Sequence, residues 1–276
     1  MKHPFPSYQG KTALITGASG GIGEALACEL ARRGAHLILT ARSRSKLEML
    51  AARLGRDYGV NVHTFDFDLS LHQSARKLFT AVQSRQLDVD LLINNAGFGY
   101  AGKFHDAPLE KNESMIVLNA ETPVMLCHLF LPLMAKKRSG GILNIASTAS
   151  FQPLPYLALY GASKAFVLSF SEALWGEYQR LGIRVLCFCP GNTRTQFHEA
   201  AGVNPRLVFF AACAESAAKA ALDVFSKSLK PVSVHGWANK IMAQGYRILP
   251  RAWITAAARS IYQQPAAVKT VEEKAH

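Results

Sequence analysis

Within the stretch ALYGASKAF, residues 158–166, Tyr160 and Lys164 stand four positions apart with Ser163 between them. On a helix that spacing places both side chains on one face, one turn from each other. A tyrosine titrates near 10, too high to act as a base at neutral pH. An ammonium about 4 Å away, at an effective dielectric near 20, favours the phenolate by about 4 kcal/mol, roughly three pKa units as an upper figure. Such a pair can give and take a proton. Taken alone it is also an ordinary surface spacing, so the elements around it must decide.

Those elements alternate. TALITG, HLILTA, VHTFDFD, LLINNAG, GILNIAS, RVLCFCPG and PVSVHG read as short strands. Longer helical patterns lie between them, including about 112–137 and about 157–181. Alternation of this kind predicts βαβ units and a parallel sheet. The expected fold class is α/β, a Rossmann-like doubly wound arrangement with a seven-stranded parallel sheet and helices on both faces. No repeat or Pro/Gly-rich linker divides the 276 residues, which favours a single domain: a core over about 10–236, a helical extension over about 237–265 and a polar tail over 266–276.

A hydrophobic fraction of 49% and a charged fraction of 18% exclude the disordered class. The first seventeen residues carry no apolar stretch of signal-peptide length, and the longest unbroken apolar run, LVFFAACA, has eight residues. Neither secretion nor a membrane span is expected. The five cysteines show no metal-type spacing, so a reducing cytoplasm and no metal are expected, with Cys187 and Cys189 as core thiols on one strand face. A formal net charge of +12 suits nucleic acid, anionic lipid or an anionic ligand. No groove-reading motif supports nucleic acid.

The segment TGASGGIG, residues 16–23, follows a strand and opens a helix. Glycines there permit a sharp turn, bring backbone N–H groups close to a pyrophosphate and aim a helix N-terminus at it. A tight βα turn without a ligand has the same look, and the spacing is G-x-x-x-G-x-G, not the general dinucleotide fingerprint.

Together with Asp68-Leu69, Asn94-Asn95-Ala96-Gly97, Asn119, Ser147, Tyr160 with Lys164, and Pro190-Gly191, this turn resembles the short-chain dehydrogenase/reductase family over about residues 10–236. The resemblance implies cofactor contacts from Gly17, Ser19, Gly20, Gly21, Ile22 and Gly23. Asp68 and Leu69 would adjoin the adenine, with Asn95, Ala96 and Gly97 beside the adenosine ribose. Pro190 and Gly191 would close the nicotinamide side, with Thr193 and Thr195 on the carboxamide or a phosphate. Asn192 stands where the family often has proline. In NAD-preferring dinucleotide folds an acid ends the second strand, but no acid occurs between His36 and Leu47, and Ala41 stands at that place. Arg42 follows, and a guanidinium there can grip a 2′-phosphate. NADP(H) is the expected cofactor, with Ser19 and Ser43 adding hydrogen bonds. The alternative for Arg42, Arg44 and Lys46 is a solvated helix face.

The resemblance also implies a catalytic set of Asn119, Ser147, Tyr160 and Lys164. Ser147 precedes Tyr160 by thirteen residues, whereas Thr148 and Ser150 fail that spacing. Hydride transfer to a carbonyl develops charge on oxygen, so a proton donor and a hydrogen-bond donor are required. Tyr160 would be the acid in reduction and the base in oxidation. Lys164 would also bond the nicotinamide ribose, Ser147 the substrate oxygen, and Asn119 would hold a water in a proton relay. The expected activity is NADP(H)-dependent interconversion of a hydrophobic ketone or aldehyde and its alcohol. Its alternatives are a silent NADP-binding regulator and a membrane-peripheral acyl or lipid carbonyl reductase.

Residues 196–212 are expected to cover an apolar substrate, with His198 as a lid residue. The extension after residue 236 mixes Ile241, Trp253 and Ile261 with Lys240, Arg251 and Arg259. It suits an anionic membrane surface, or else the core or a second subunit. By resemblance, the helices at 112–137 and 157–181 pair subunits in a homodimer or homotetramer.

Overall fold

The computed structural model describes residues 5, 7–194, 201–202, 212–245 and 248–263. Its centre is a sheet of seven parallel strands. β1 (Thr12–Thr16), β2 (His36–Ala41), β3 (Val62–Asp66), β4 (Leu91–Asn94), β5 (Gly140–Ile145) and β6 (Ile183–Cys189) are six of them. The seventh, β9 (Val232–Val234), lies on the edge beside β6, giving the order β3-β2-β1-β4-β5-β6-β9. The seven expected strands are all present.

Parallel strands covered on both faces must be apolar nearly throughout, and β4, β5 and β6 are buried along their whole length. Alternate side chains serve opposite layers. Ile15, Leu37, Leu39, Ile93 and Leu186 join a core with Leu26 and Leu30 of α1 (Gly21–Arg32), Leu47 and Leu50 of α2 (Arg44–Tyr58), and Leu222 and Phe225 of α7 (Ala214–Lys227). Their strand neighbours Leu14, Ile38, Leu92, Ile142 and Val185 face the other way. There they meet Leu78 of α3 (Ser74–Ser84), Leu126 and Phe130 of α5 (Thr122–Lys137), and Leu174 of α6 (Ala158–Tyr178). The alternation in the strands therefore produces the three-layer sandwich.

Chain order reverses between β1 and β4. In open α/β sheets the crevice at the carboxyl ends of such a pair is where ligands bind. Both Thr16 and Asn94 lie at this edge.

Two features depart from the sequence expectation. The helical stretch near 112–137 is α4 (Leu109–Ile116), a π segment (Val117–Glu121) and α5. Pro123 has no N–H for the carbonyl of Asn119, so regular α pairing fails at that residue. Leu109–Lys137 also meets the length and hydropathy of a membrane span, which a search for unbroken apolar runs does not detect. Its Leu126, Phe130, Leu131 and Met134 are core residues of the sandwich, so here it is a core helix. The second departure is a short parallel ribbon, β7 (Thr193–Arg194) with β8 (Ala212–Cys213), which no alternating pattern announces.

A buried polar chain fixes α6 to the sheet. Asn94 Nδ2 donates to Asn144 Oδ1 at 2.8 Å, Asn144 Nδ2 to Ser171 Oγ at 2.9 Å, and Ser171 Oγ to the Val167 carbonyl at 2.6 Å. It sets the helix that carries Tyr160 and Lys164. The extension folds as α8 (Trp237–Gly245) and α9 (Arg251–Tyr262); its residues 246–247 and 264–265, with the tail, lie outside the described residues.

Candidate active site

At the carboxyl end of β1, Gly17 has φ +66 and Gly21 φ +57, a region glycine enters freely. A Cβ on Gly17 would stand 2.9 Å from Ala96 Cα, and one on Gly23 would stand 2.6 Å from Asn95 Nδ2. The glycine turn and the loop after β4 therefore touch backbone to backbone, and only glycine permits it.

Thr16, which opens the glycine motif in sequence but has no role assigned to it there, ties the two loops. Its buried Oγ1 accepts from Asn95 N and Ala96 N, each at 3.0 Å. Asn95 Nδ2 donates back to the Thr16 carbonyl at 2.9 Å and the Gly17 carbonyl at 3.3 Å. The Asn95 amide is thus a brace of the cradle and not a free ribose ligand. A threonine at a strand end gives no signal of this in sequence, since both bonds span more than seventy residues.

The other expected cofactor residues divide. Ser19 and Gly20 are partly exposed at the mouth of the turn, and Gly20 precedes α1 with no side-chain cap. Ile22 leans on the core. Arg42 is exposed and has no carboxylate partner among the described residues, whereas Arg44 is held by Glu48 at 2.8 Å. Ser43 Oγ lies 3.4 Å from Ser45 Oγ. Asp68 lies two residues past β3 and accepts from Ser70 N at 3.0 Å and Ser70 Oγ at 2.6 Å, so one of its oxygens is already engaged. Leu69 is buried in the core through its side chain, and its carbonyl accepts from Thr122 Oγ1 at 2.8 Å. Only its backbone amide remains to face a ligand.

Gly97, Asn119 and Lys164 converge behind this loop. A Cβ on Gly97 would stand 3.0 Å from Asn119 Oδ1 and 3.3 Å from Lys164 Nζ. Asn119, in the π segment, accepts from Phe98 N at 3.1 Å and donates to the Phe98 carbonyl at 2.9 Å and to Ser163 Oγ at 3.1 Å. Both amide hydrogens are engaged, leaving the second lone pair of Oδ1 for any relay. Ser163 Oγ in turn donates to the Tyr160 carbonyl at 2.8 Å. The serine between the pair is therefore a link from Asn119 to the catalytic helix.

Lys164 is buried, and its ammonium donates to the Ile145 carbonyl at 2.9 Å. Ser150 Oγ holds the Lys164 carbonyl at 2.8 Å, a positioning role for a hydroxyl that fails the catalytic spacing. Lys164 Nζ lies 6.0 Å from the centre of the Tyr160 ring. The lysine folds toward the end of β5. Burial pushes the ammonium down to about 8. Burial likewise pushes the Tyr160 phenol up to about 12, with its hydrogen bond to Ser147 acting in the opposite sense. The expectation of a phenol lowered by its neighbour is thus reversed in the protein alone: desolvation dominates.

Ser147, at the end of β5, accepts from Ala149 N at 3.1 Å and reaches the Tyr160 hydroxyl. Pro190 accepts from Thr148 N at 3.0 Å, locking its loop to the Ser147 segment. Asn239 of α8 packs against the α-carbon of Gly191 and donates to the His235 carbonyl at 2.8 Å. Thr193 is buried and donates to the Gly191 carbonyl at 3.1 Å, so its hydroxyl stiffens the loop first. Thr195, His198 and the apolar stretch 203–211 lie outside the described residues. Tyr262 of α9 and Tyr160 pack on the same cluster of Ala149, Leu154, Leu157 and Ala258. The extension therefore walls Tyr160, an arrangement its sequence left open. Among the described residues no group of three acids, cysteines or histidines could hold a metal.

The residues fit a phosphorylated dinucleotide. The glycine cradle would be filled by any Cβ, and the unpaired Arg42 stands at the end of β2. The family model for the short chain dehydrogenase matches residues 11–206. Hydroxysteroid dehydrogenase-like protein 1 of Gallus gallus is 34% identical over 79% of this chain and 66% of its own length. Very-long-chain 3-oxoacyl-CoA reductase of Anas platyrhynchos is 37% identical over 66% of this chain and 59% of its own. The chain thus spans about three fifths to two thirds of those relatives. A short-chain dehydrogenase from Sphingobium yanoikuyae, solved in complex with NADPH, is 33% identical with a TM-score of 0.77, covering 94% of this chain and 99% of that one. The seven-stranded parallel sheet agrees with the solved relative, and with the family match over residues 11–206 the chain belongs to the short-chain dehydrogenase family of oxidoreductases.

Proposed function

We propose that the protein is an NADP(H)-dependent oxidoreductase that interconverts a hydrophobic ketone or aldehyde and its alcohol, with Tyr160 as acid and base. The observation that carries this is the convergence of Ser147, Tyr160 and Lys164 at the sheet edge beside the glycine cradle. Gly17, Gly21, Gly23, Ala96 and Gly97 would admit the dinucleotide, and Arg42 would grip its 2′-phosphate. NADPH, when bound, supplies a hydride to the carbonyl carbon and becomes cationic. The Tyr160 hydroxyl gives its proton to the carbonyl oxygen while Ser147 donates a hydrogen bond to it. Lys164, by its charge, favours the phenolate left behind. In the reverse direction Tyr160 takes the alcohol proton.

The hydroxysteroid dehydrogenase-like and very-long-chain 3-oxoacyl-CoA reductase relatives support a bulky or long-chain apolar substrate, as does the apolar wall formed by Leu154, Leu157 and Ala258. The proposal includes a single domain in the cytoplasm. It also includes a homodimer or homotetramer through α5 and α6, which is supported by exposed Leu133 and by Phe166 stacked on Phe170. Turnover of NADPH against a panel of long-chain 3-oxoacyl thioesters, steroid ketones and aromatic aldehydes tests it. At least one apolar carbonyl compound should be reduced at a rate that falls at least 100-fold in Ser147→Ala. No turnover on any of them would favour a cofactor-binding regulator.

A further inference from the structure

We propose that α8 and α9 form a docking face for the surface of an anionic lipid bilayer. Their inward side is small and apolar: Ala243, Ile254 and Ala258 are buried, and Ala258 belongs to the cluster beneath Tyr160. Their outward side is also apolar. Trp237 is 78% exposed, Trp253 70% and Ile248 83%, with Ile241, Met242 and Leu249 more than half exposed. Amphipathic helices that pack on a domain and end in water show polar residues on the outer face. These helices and the turn between them instead present two tryptophans and four large aliphatic side chains, a patch that calls for a partner.

Charge selects the partner. Lys240, Arg251 and Arg259 are exposed among these apolar groups, and no Asp or Glu occurs anywhere from residue 224 to 271. A second copy of the chain meeting this face about a twofold axis would set the patch against itself. Cations would then face cations with no carboxylate between them. An anionic bilayer supplies the missing charge and accepts the apolar side chains. Exposed Trp and Ile interleaved with Lys and Arg are the composition of helices that lie in the headgroup region. The function proposed above is not needed for this docking. If both hold, α9 separates the bilayer from Tyr160 by one helix, and an apolar carbonyl compound dissolved in lipid has a short path to the site.

The test is co-sedimentation of the full chain with vesicles of phosphatidylcholine alone and of phosphatidylcholine with phosphatidylglycerol. Binding at least ten times stronger to the anionic vesicles, weakened by salt, is expected. Trp237→Glu/Trp253→Glu should abolish it while NADPH binding and the melting temperature stay near wild type. If that pair fails to fold, Arg251→Gln/Arg259→Gln keeps the apolar face and should weaken anionic binding several-fold. Equal binding by wild type and variants, or no binding to anionic vesicles at low salt, would overturn the proposal. So would a wild-type oligomer that dissociates in the tryptophan variant and ignores vesicles, since the patch would then be a subunit interface.

Discussion

Replacing Arg42 with Ala should convert a strong preference for NADPH into a weak one, and the size of the effect follows from its surroundings. The guanidinium stands at the end of β2, exposed, with no carboxylate partner among the described residues, so none of them competes with a phosphate for it. A hydrogen bond to a charged group contributes about 1.5–3 kcal/mol, or roughly 10- to 150-fold in the dissociation constant. Solvent exposure favours the lower half of that range. Arg44 cannot substitute fully, because Glu48 holds it at 2.8 Å. Arg42→Asp adds repulsion, about 1 kcal/mol per unit of phosphate charge at 4 Å in water, and should weaken NADPH by a further ten-fold or so. Fluorescence titration of wild type, Arg42→Ala and Arg42→Asp with NADPH and NADH measures all six constants. NADH affinity should change less than about three-fold across the series. Equal NADPH and NADH affinities in the wild type, or a parallel loss of both in the variants, would refute the assignment of Arg42.

Thr16→Val removes the acceptor for two backbone N–H groups while keeping the shape, and should cost about 1–3 kcal/mol. Calorimetry should show a lowered melting temperature together with weaker NADPH binding; an unchanged melting temperature would show that the bridge between the loops is dispensable. Lys164→Met tests the burial of the ammonium. The lysine pKa is lowered from the ordinary 10.5 to about 8 in the folded chain, so between about pH 8 and 10.5 the unfolded chain binds the extra proton and stability rises with pH. Urea melts across that window should show a rise in wild type that is smaller in the methionine variant, and parallel curves would contradict the shift.

The fold was legible because parallel strands buried on both faces leave short apolar runs between helices, and all seven are written that way. The cradle was legible because glycines mark places where a side chain cannot fit, as at Gly17 and Gly23. Hydrogen bonds between distant loops leave no local trace. Thr16, Ser150 and Ser163 read as ordinary small polar residues, yet they hold Asn95, Lys164 and Asn119 in place. The same limit hid how Leu69 is held, since its side chain completes the core and its carbonyl is bonded to Thr122, leaving its backbone amide to meet a cofactor. The Tyr160 and Lys164 pair shows a different limit. Spacing on a helix gives the shared face but not the burial, and burial shifts both proton affinities while the lysine donates to the Ile145 carbonyl. The π segment at Asn119 was marked by Pro123, a signal that helical periodicity alone passes over.

Tyr160→Phe under single-turnover conditions is the most direct test of the central chemistry. The variant keeps the ring that packs on Leu154 and Leu157 and removes only the hydroxyl. With a reducible carbonyl substrate in hand, it should bind NADPH within about two-fold of wild type yet consume it at least 1,000-fold more slowly, about 4 kcal/mol of lost transition-state stabilisation. Hydride transfer within ten-fold of wild type would show that another group supplies the proton.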